Sequence, residues 1–218
     1  MVDKDILQHI CTAIETPDPD ETVKAVEKAV DFGVAPLEIV GALTDGITTL
    51  GDKFERMECF LPELILGADA MDVSMKLLKP KMEELNLETG PAGTVVISNI
   101  QGDIHDIGRD IVVTMLRVAG YQVEDMGHDV KPNLMIDKAL ECDADIIAVS
   151  TLLTTSLPFA REVLRLLDAR GLSGKFKVVM GGGAVTPEYC EEIGAGYGDN
   201  AAAAVKLVKE LIDGSDRK

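Results

Sequence analysis

One loop of the chain carries the residues that are best suited to bind a metal or a cofactor. It reads Gly102-Asp103-Ile104-His105-Asp106-Ile107-Gly108, and it places one of only three histidines in the sequence between two aspartates. A histidine beside a carboxylate is a frequent metal ligand, because the carboxylate accepts a hydrogen bond from one ring nitrogen and so orients the other. His105 is therefore the first candidate for a ligand. Asp106 also suits the N-terminus of the helix that should follow, where a negative charge is favourable.

Two further polar loops can join this one at a common site. The first, 150–156, reads Ser-Thr-Leu-Leu-Thr-Thr-Ser, and the second is the triple glycine 181–183. Hydroxyl groups can donate hydrogen bonds to a ligand, and glycines let a ligand come close to the backbone. The loops offer hydroxyls and amides rather than lysine or arginine, so a highly charged nucleotide fits poorly. No G-x-G-x-x-G motif follows the first predicted strand, which also disfavours a dinucleotide.

Alternating strands and helices must position these loops. Apolar runs predict strands at 94–99, 121–125, 145–150 and 177–180, with a short fifth strand near 195–197. Amphipathic patterns predict helices near 108–119, 132–141, 156–170, 187–193 and 200–213. Runs such as 146–149 are apolar on both faces, which is typical of a buried parallel sheet. Right-handed crossovers then give a doubly wound α/β domain, with a Rossmann-like or flavodoxin-like sheet and the three loops at one edge.

The first part of the chain has a different pattern. Helical spacing predicts four helices before residue 88, with Asp20 as the N-cap of the second, and no segment there has the pattern of a strand. This indicates a small all-helical bundle. The segment 88–93, ETGPAG, has the composition of a linker. We therefore expect a helical-bundle domain over 1–89 and an α/β domain over 90–218.

The charge of the chain argues against some classes of partner. Its 38 acidic residues outnumber 21 basic ones, and the net charge is −17. Nucleic acids and anionic membranes need a basic surface, so neither is expected as a partner. The N-terminal residues lack the apolar core of a signal peptide, and no stretch is long enough to span a membrane. Four scattered cysteines without a C-x-x-C pair favour a reduced, cytoplasmic protein without a structural zinc site.

The three loops match, in order, three motifs of cobalamin-binding domains: D-x-H-x-x-G, S-x-L and G-G. The matching residues are Asp103, His105, Gly108, Ser150, Leu152, Gly182 and Gly183. The 41 residues of 109–149, between the first two motifs, resemble the spacing in that family. The segment 51–71, GDKFERMECFLPELILGADAM, is similar to the helical cap that precedes the cobalamin domain of cobalamin-dependent methionine synthase. A cap plus this domain resembles the corrinoid proteins of methyltransferase systems over nearly the whole chain.

This resemblance implies a cofactor, cobalamin or a related cobamide, and a role for each matching residue. His105 would be the lower axial ligand of cobalt in place of the cofactor's own benzimidazole, held by Asp103 and Ser156. The displaced nucleotide tail would run between sheet and helix and end near Asn200 and Ala201. The other residues implied at the cofactor are Gly102, Ile104, Asp106, Ile107, Gly108, Ser150, Leu152, Thr154, Gly182 and Gly183.

Two details of the resemblance concern the floor and the upper face of the cofactor. The chain has three successive glycines where the motif has two. Either Gly181 and Gly182 or Gly182 and Gly183 could therefore form the floor of the site. By the same resemblance, the helical cap would protect the upper face of the cobalt. Met57, Phe60 and Leu61 are the candidates for that contact. An apolar lid there would exclude water and side reactions.

The function implied is that of a methyl carrier without catalytic residues of its own. Cobalt would receive a methyl group, as methylcobalamin, from a substrate-specific methyltransferase. The donor would be a methylated amine, methanol, a betaine or a methyl ether, with methylated amines favoured. A second methyltransferase would pass the group to a thiol coenzyme or to tetrahydrofolate, in methanogenic or acetogenic one-carbon metabolism. A reductive activase is also implied, because Co(I) oxidises readily.

Other interpretations remain open on the sequence. A cobalamin-binding subunit of a radical mutase would use adenosylcobalamin, and a cobalamin-based sensor would normally carry an output module that is not seen here. A flavin carrier would be distinguished by its chromophore. Without the other two loops, His105 would be a solvated loop histidine bonded to its neighbouring aspartates. His9 and His128 have the surroundings of ordinary surface residues.

Overall fold

In a computed structural model, residues 2–85 and 92–214 are described, and they fall into two compact units. The first unit contains the helices α1 (Val2–Glu15), α2 (Pro19–Asp31), α3 (Pro36–Glu55) and α4 (Leu61–Glu84). The four predicted helices are therefore confirmed. The predicted boundary between 89 and 90, and most of the linker 88–93, lie outside the described residues. Both stay predictions.

The helices of the first unit pack through apolar faces that recur at helical spacing. Their fully buried large side chains include Ile10, Ile14, Ile39, Leu43, Ile47, Leu50, Leu64 and Leu78. Gly46 lies where α3 passes close to α1. A Cβ at this position would collide with the Ile14 side chain and the Cys11 carbonyl. A glycine thus lets the two backbones approach, and the apolar faces close around it.

The start of α2 differs from the sequence prediction. The N-cap is Asp18, whose Oδ1 accepts a hydrogen bond from the Glu21 N–H at 3.0 Å, and the predicted cap Asp20 lies inside the first turn. The physical reason is Pro19. Its fixed φ and missing N–H suit the first helical position, and this moves the cap one residue before it.

The second unit alternates strands and helices. Its strands are β1 (Thr94–Asn99), β2 (Gln122–Asp125), β3 (Ile146–Ser150), β4 (Lys177–Gly181) and β5 (Gly196–Gly198). Its helices are α5 (Ile107–Val118), α6 (Pro132–Glu141), α7 (Leu157–Ala169), α8 (Pro187–Ile193) and α9 (Ala201–Asp213). A short 3-10 turn, Thr154–Ser156, precedes α7, so that helix begins one residue later than predicted.

All five strands are parallel and lie in the order β2-β1-β3-β4-β5. Alternate residues of β1 enter two separate cores: Val96 packs with α6 and α7, and Val95 packs with α5 and α9. Helices therefore cover both faces of the sheet, which confirms the doubly wound α/β prediction. In the part of the chain that the structure describes, no helix is both long and apolar enough to span a membrane.

The cap of α2 gives a direct test of the first unit. We expect Asp18→Ala to lower the free energy of unfolding by about 1 kcal/mol, because the Glu21 N–H loses its acceptor. Asp20→Ala should cost about 0.5 kcal/mol or less, since it removes only a charge near the helix N-terminus. Urea unfolding followed by circular dichroism measures both values. An equal or larger loss in Asp20→Ala would contradict the assignment of the cap.

Candidate functional site

Three loops meet at the carboxyl edge of the parallel sheet. The strand register pairs Asn99 with Ser150 and Ser150 with Gly181, so β1, β3 and β4 end at the same level. The loops after these strands carry the histidine, the hydroxyl groups and the glycines that the sequence singles out. Open α/β sheets bind ligands at this edge, at the point where the connections that follow two neighbouring strands run to opposite faces of the sheet.

Asp103 is the polar centre of this edge. It is fully buried, and its Oδ2 accepts hydrogen bonds from the Thr151 hydroxyl at 2.7 Å, the Leu152 N–H at 2.5 Å and the Leu153 N–H at 3.2 Å. Its Oδ1 accepts from the His105 N–H at 2.9 Å and from His105 Nδ1 at 2.8 Å. One carboxylate therefore joins the loop after β1 to the loop after β3.

These hydrogen bonds keep Asp103 ionised. Burial by itself raises the pKa of a carboxyl group. The bonds from the His105 N–H, the Thr151 hydroxyl, the His105 ring and the Leu152 N–H outweigh burial and hold the pKa of Asp103 well below its usual range. An ionised carboxylate is an acceptor only, so His105 Nδ1 carries the proton of this bond.

His105 is consequently oriented, with one nitrogen in use and one available. The bond from Nδ1 to Asp103 leaves Nε2 as the lone-pair nitrogen, and the side chain is 47% exposed. Apolar side chains beside it are also exposed: Ile104 by 66%, Ile107 by 75% and Leu152 by 51%. An imidazole that is oriented in this way, with Nε2 among exposed apolar groups, can ligate a metal that is carried by a flat, largely apolar molecule.

A cavity of about 230 Å³ lies between the ends of β1, β3 and β4 and the helices α5 and α9. Its wall is mostly apolar, with Ile97, Ala148 and Val179 from the three strands. Five of the predicted site residues belong to this wall: Gly108, Ser150, Gly182, Asn200 and Ala201. The cavity therefore runs along the sheet face from the polar edge to the start of α9.

Among the residues that the structure describes, other predicted site residues lie outside the wall of this cavity. Leu152 and Thr154 belong to the loop after β3, and Leu152 packs over Gly183, whose added Cβ would lie 2.6 Å from Leu152 Cδ1. Of the triple glycine, Gly181 and Gly182 line the cavity. Which pair of these glycines forms the floor of a cofactor site stays a prediction.

Gly182 is a loop position of this site that only glycine fits. Its φ is +107°, and an added Cβ would collide with the carbonyl of Thr151. The turn after β4 can therefore pass close to the loop after β3 only because residue 182 has no side chain.

The hydroxyl that supports Asp103 belongs to a residue that the sequence prediction did not include. The structure gives this bond to Thr151. The resemblance places Ser156 with Asp103 in a relay that holds His105, and that role of Ser156 stays a prediction. Ser156 is buried near Gly102, where an added Cβ would lie 3.2 Å from its Oγ. Thr151 follows the last residue of β3, and that position next to a polar strand end was the available signal.

Arg109 also corrects the sequence analysis. The loops were expected to offer no lysine or arginine to a ligand, yet Arg109 lines the cavity and is only 6% exposed. It lies in the first turn of α5, just after the D-x-H-x-x-G motif.

A fourth loop steadies the one that carries His105. Asp129, in the loop after β2, accepts a hydrogen bond from the Gly102 N–H at 2.7 Å and donates its own N–H to the Asp103 carbonyl at 3.0 Å. Its φ is +55°, a conformation that aspartate tolerates better than most residues. The histidine loop is therefore fixed on two sides.

The remaining residues that the sequence analysis names have the following surroundings. His9 pairs with Glu21 at 3.2 Å, and the half-exposed His128 lies 3.9 Å from Asp106. Asn200 caps α9 by accepting a bond from the Ala203 N–H at 2.9 Å. In the helical unit, Met57 is 92% exposed and Phe60 is 78% exposed, so this unit by itself leaves both side chains uncovered.

Two family models and several characterised proteins are similar to this chain. Residues 93–206 match a family model described as B12 binding domain, and residues 6–79 match a second model with the same description. The chain is 40% identical to dimethylamine corrinoid protein 1 of Methanosarcina mazei, over 97% of this chain and 98% of the relative. It is 36% identical to trimethylamine corrinoid protein 1 of Methanosarcina acetivorans, over 96% of this chain and 98% of the relative.

A solved structure is similar over almost the whole chain. The methanol:cobalamin methyltransferase complex MtaBC from Methanosarcina barkeri aligns with a TM-score of 0.87 at 30% identity. The alignment covers 96% of this chain and 80% of that one. Both units of the present protein therefore have counterparts among B12-binding proteins.

The depressed pKa of Asp103 predicts a pH-dependent contribution to stability. Because its pKa is lower in the folded than in the unfolded chain, the stabilisation is complete above the unfolded value of about 3.9 and is lost as the pH falls below it. We expect Asp103→Asn to lower the free energy of unfolding at pH 7 by about 2 kcal/mol, because an amide NH₂ would face N–H donors.

The measurement is urea unfolding of both proteins at several pH values. The difference between wild type and Asp103→Asn should be constant from pH 7 to about pH 5 and should shrink below about pH 4. Asp106→Asn is the matched control in the same loop. Asp106 is half-exposed, and its substitution should change stability by about 0.5 kcal/mol or less. A difference for Asp103→Asn that does not change with pH would contradict the assignment.

Proposed function

We propose that this chain, which belongs to the B12-binding corrinoid proteins of methyltransferase systems, carries a methyl group between two methyltransferases. When bound, the corrinoid supplies a cobalt ion that accepts a methyl group from one partner and yields it to the other. The protein's own residues would hold the corrinoid, with His105 as its oriented nitrogen ligand, and would leave it accessible to partners. No residue of the chain is assigned a catalytic role.

The observation that carries this proposal is the bond between His105 Nδ1 and the buried carboxylate of Asp103. It prepares Nε2 as a single, oriented nitrogen ligand. The described residues contain no group of three or more His, Cys, Asp or Glu side chains that could hold a bare metal ion. A single protein nitrogen, that of His105, would suffice for a metal that a corrin ring already holds. The donor set therefore fits a corrinoid better than a free metal ion.

The cavity supports the same proposal from another direction. A corrinoid that binds with a histidine at its lower face must place its displaced nucleotide tail elsewhere. The cavity between the sheet and helices α5 and α9 begins at the polar edge and is mostly apolar. Because Gly182 in its wall has no side chain, a ligand could lie close to the backbone there. We propose that it receives the tail, with Ser150 on its wall and the N-terminus of α9 at its far end.

The proposed methyl donor is a methylated amine, with dimethylamine as the first candidate. The dimethylamine corrinoid protein of Methanosarcina mazei is 40% identical to this chain, whereas the methanol complex MtaBC is similar at 30% identity. We also propose a second methyltransferase that passes the group to a thiol coenzyme or to tetrahydrofolate, and an activase that reduces oxidised cobalt. These partners follow from the carrier function, which needs both a source and an acceptor.

Titration with hydroxocobalamin tests the axial ligand. Wild type should bind one corrinoid per chain with the visible spectrum of nitrogen coordination, and His105→Ala should bind with the spectrum of a corrinoid that lacks this ligand. His128→Ala is the matched control, because His128 is a half-exposed histidine at the same edge and lies 3.9 Å from Asp106. It should give the wild-type spectrum. Identical spectra for wild type and His105→Ala would refute the assignment of the ligand.

The methyl donor is tested with the reduced, reconstituted protein. It is mixed with the methyltransferase that serves the dimethylamine corrinoid protein of Methanosarcina mazei and with dimethylamine. We expect the spectrum to change on a scale of minutes and to stay unchanged when methanol replaces dimethylamine, since the docking surface should resemble the nearer relative. Methylation with methanol and the methanol-specific methyltransferase alone would assign the other donor.

The same experiments separate the alternative functions. A cobalamin subunit of a radical mutase would bind adenosylcobalamin in preference to hydroxocobalamin and would show no methylation with any donor. A sensor would bind the corrinoid without methylation by either methyltransferase. Failure of wild type to bind any corrinoid would remove all three functions and leave a flavin carrier or a domain without this cofactor.

A further inference from the structure

Arg109 is a buried cation that the proposed axial ligand leaves unexplained. The side chain is only 6% exposed, lies in the first turn of α5 and forms part of the wall of the cavity next to the sheet. A positive charge is unfavourable in the first turn of a helix, where the backbone N–H groups already present positive partial charges. Burial adds the loss of hydration of the guanidinium.

The guanidinium is only partly satisfied by the protein. Its Nη2 donates to Asp110 Oδ1 at 2.7 Å, and its Nε lies 3.3 Å from Asp125 Oδ1 without forming a hydrogen bond. That oxygen of Asp125 already accepts a bond from the Gly127 N–H at 2.9 Å. The Nη1 atom is buried and has no partner among the described residues. A buried N–H without an acceptor is rare and costly in native proteins.

The surrounding charges indicate what kind of acceptor is missing. Two carboxylates, those of Asp110 and Asp125, already outweigh the single positive charge of Arg109 and leave one net negative charge. An anion added to this group would bring a second net negative charge into a mostly apolar wall, so a phosphate is a poor partner. An uncharged acceptor, such as a ring nitrogen or a sugar hydroxyl, completes the hydrogen bonds of Nη1 without that repulsion.

We propose that Arg109 is a specificity-determining residue that donates from Nη1 to an uncharged acceptor on the nucleotide tail of the corrinoid. The protein then prefers corrinoids that carry a tail over those that lack one. This inference rests on the proposed function, because it assumes that the cavity receives the tail. It goes beyond that function in assigning the recognition of the tail to one side chain outside the three motif loops.

The test compares ligands that differ only in the tail. Cobinamide lacks the nucleotide. A phenolyl cobamide has the ribose and the phosphate, but its aromatic group has no ring nitrogen. Cobalamin has the ribose, the phosphate and a base with a ring nitrogen. Dissociation constants are measured by spectral titration of wild type and Arg109→Met. Arg117→Met is the matched control, because Arg117 is an exposed arginine in the last turn of the same helix. Thermal unfolding of each apoprotein reports whether a variant is folded.

In wild type and in Arg117→Met, cobalamin should bind about tenfold or more tightly than cobinamide. In Arg109→Met this preference should be lost through weaker binding of cobalamin, while the affinity for cobinamide stays the same, because a hydrogen bond from a charged donor contributes about this much. The phenolyl cobamide identifies the acceptor. Weak binding of it to wild type assigns the ring nitrogen, and tight binding assigns the sugar; either result supports the proposal.

Three results would overturn the proposal. Equal weakening of cobalamin and cobinamide in Arg109→Met would show that Arg109 acts only through the packing of α5 against β2. An unchanged preference for cobalamin in Arg109→Met would show that another group reads the tail. If Arg109→Met does not fold, Arg109→Lys replaces it, and an undiminished preference there counts against a role for Nη1. Failure of wild type to bind cobinamide and cobalamin alike would contradict the proposed function itself.

Discussion

The candidate site depends on one buried carboxylate. Asp103 accepts hydrogen bonds from the loop after β3 through one oxygen and from His105 through the other, so the position of the histidine is tied to the position of a second strand end. A buried carboxylate in a mostly apolar edge is stable only when such donors surround it. The same bonds that lower the pKa of Asp103 therefore fix the tautomer of His105 and leave its Nε2 free for a metal.

The fold makes this arrangement possible because a parallel sheet brings the ends of strands that are distant in sequence to one level. The pairing of Asn99 with Ser150 and of Ser150 with Gly181 aligns three loops that bear unrelated residues. Helices on both faces then leave a cavity between the sheet and helices α5 and α9. A histidine with a free ring nitrogen at the edge and a mostly apolar cavity beside it are compatible with the corrinoid proposed above.

Arg109 and Asp103 show two different ways to place a charge in a protein interior. The negative charge of Asp103 meets donors on both oxygens, all from the chain itself, and serves to orient a neighbour. The positive charge of Arg109 is outweighed by two carboxylates, but one of its nitrogens has no partner among the described residues. A group that is complete without a ligand is a scaffold, whereas a group that is incomplete without one is suited to recognition.

Much of the fold and part of the site could be predicted from the sequence. Apolar periodicity and turn residues are local properties, and they located the strands, the helices and the three loops to within one or two residues. Three particular contacts could not be predicted. Pro19 moves the cap of α2 to Asp18, the Thr151 hydroxyl donates to Asp103, and Arg109 is buried in the cavity wall.

The reason for this division is physical. The sequence by itself determined which residues end each strand and which loop carries the histidine, because those features depend on neighbours within a few positions. Only the tertiary structure decided which hydroxyl reaches a carboxylate 48 positions away in the chain, and which charged side chain of α5 turns toward the sheet. Those outcomes depend on strand register and on the packing of a helix against two strands, which no local pattern encodes.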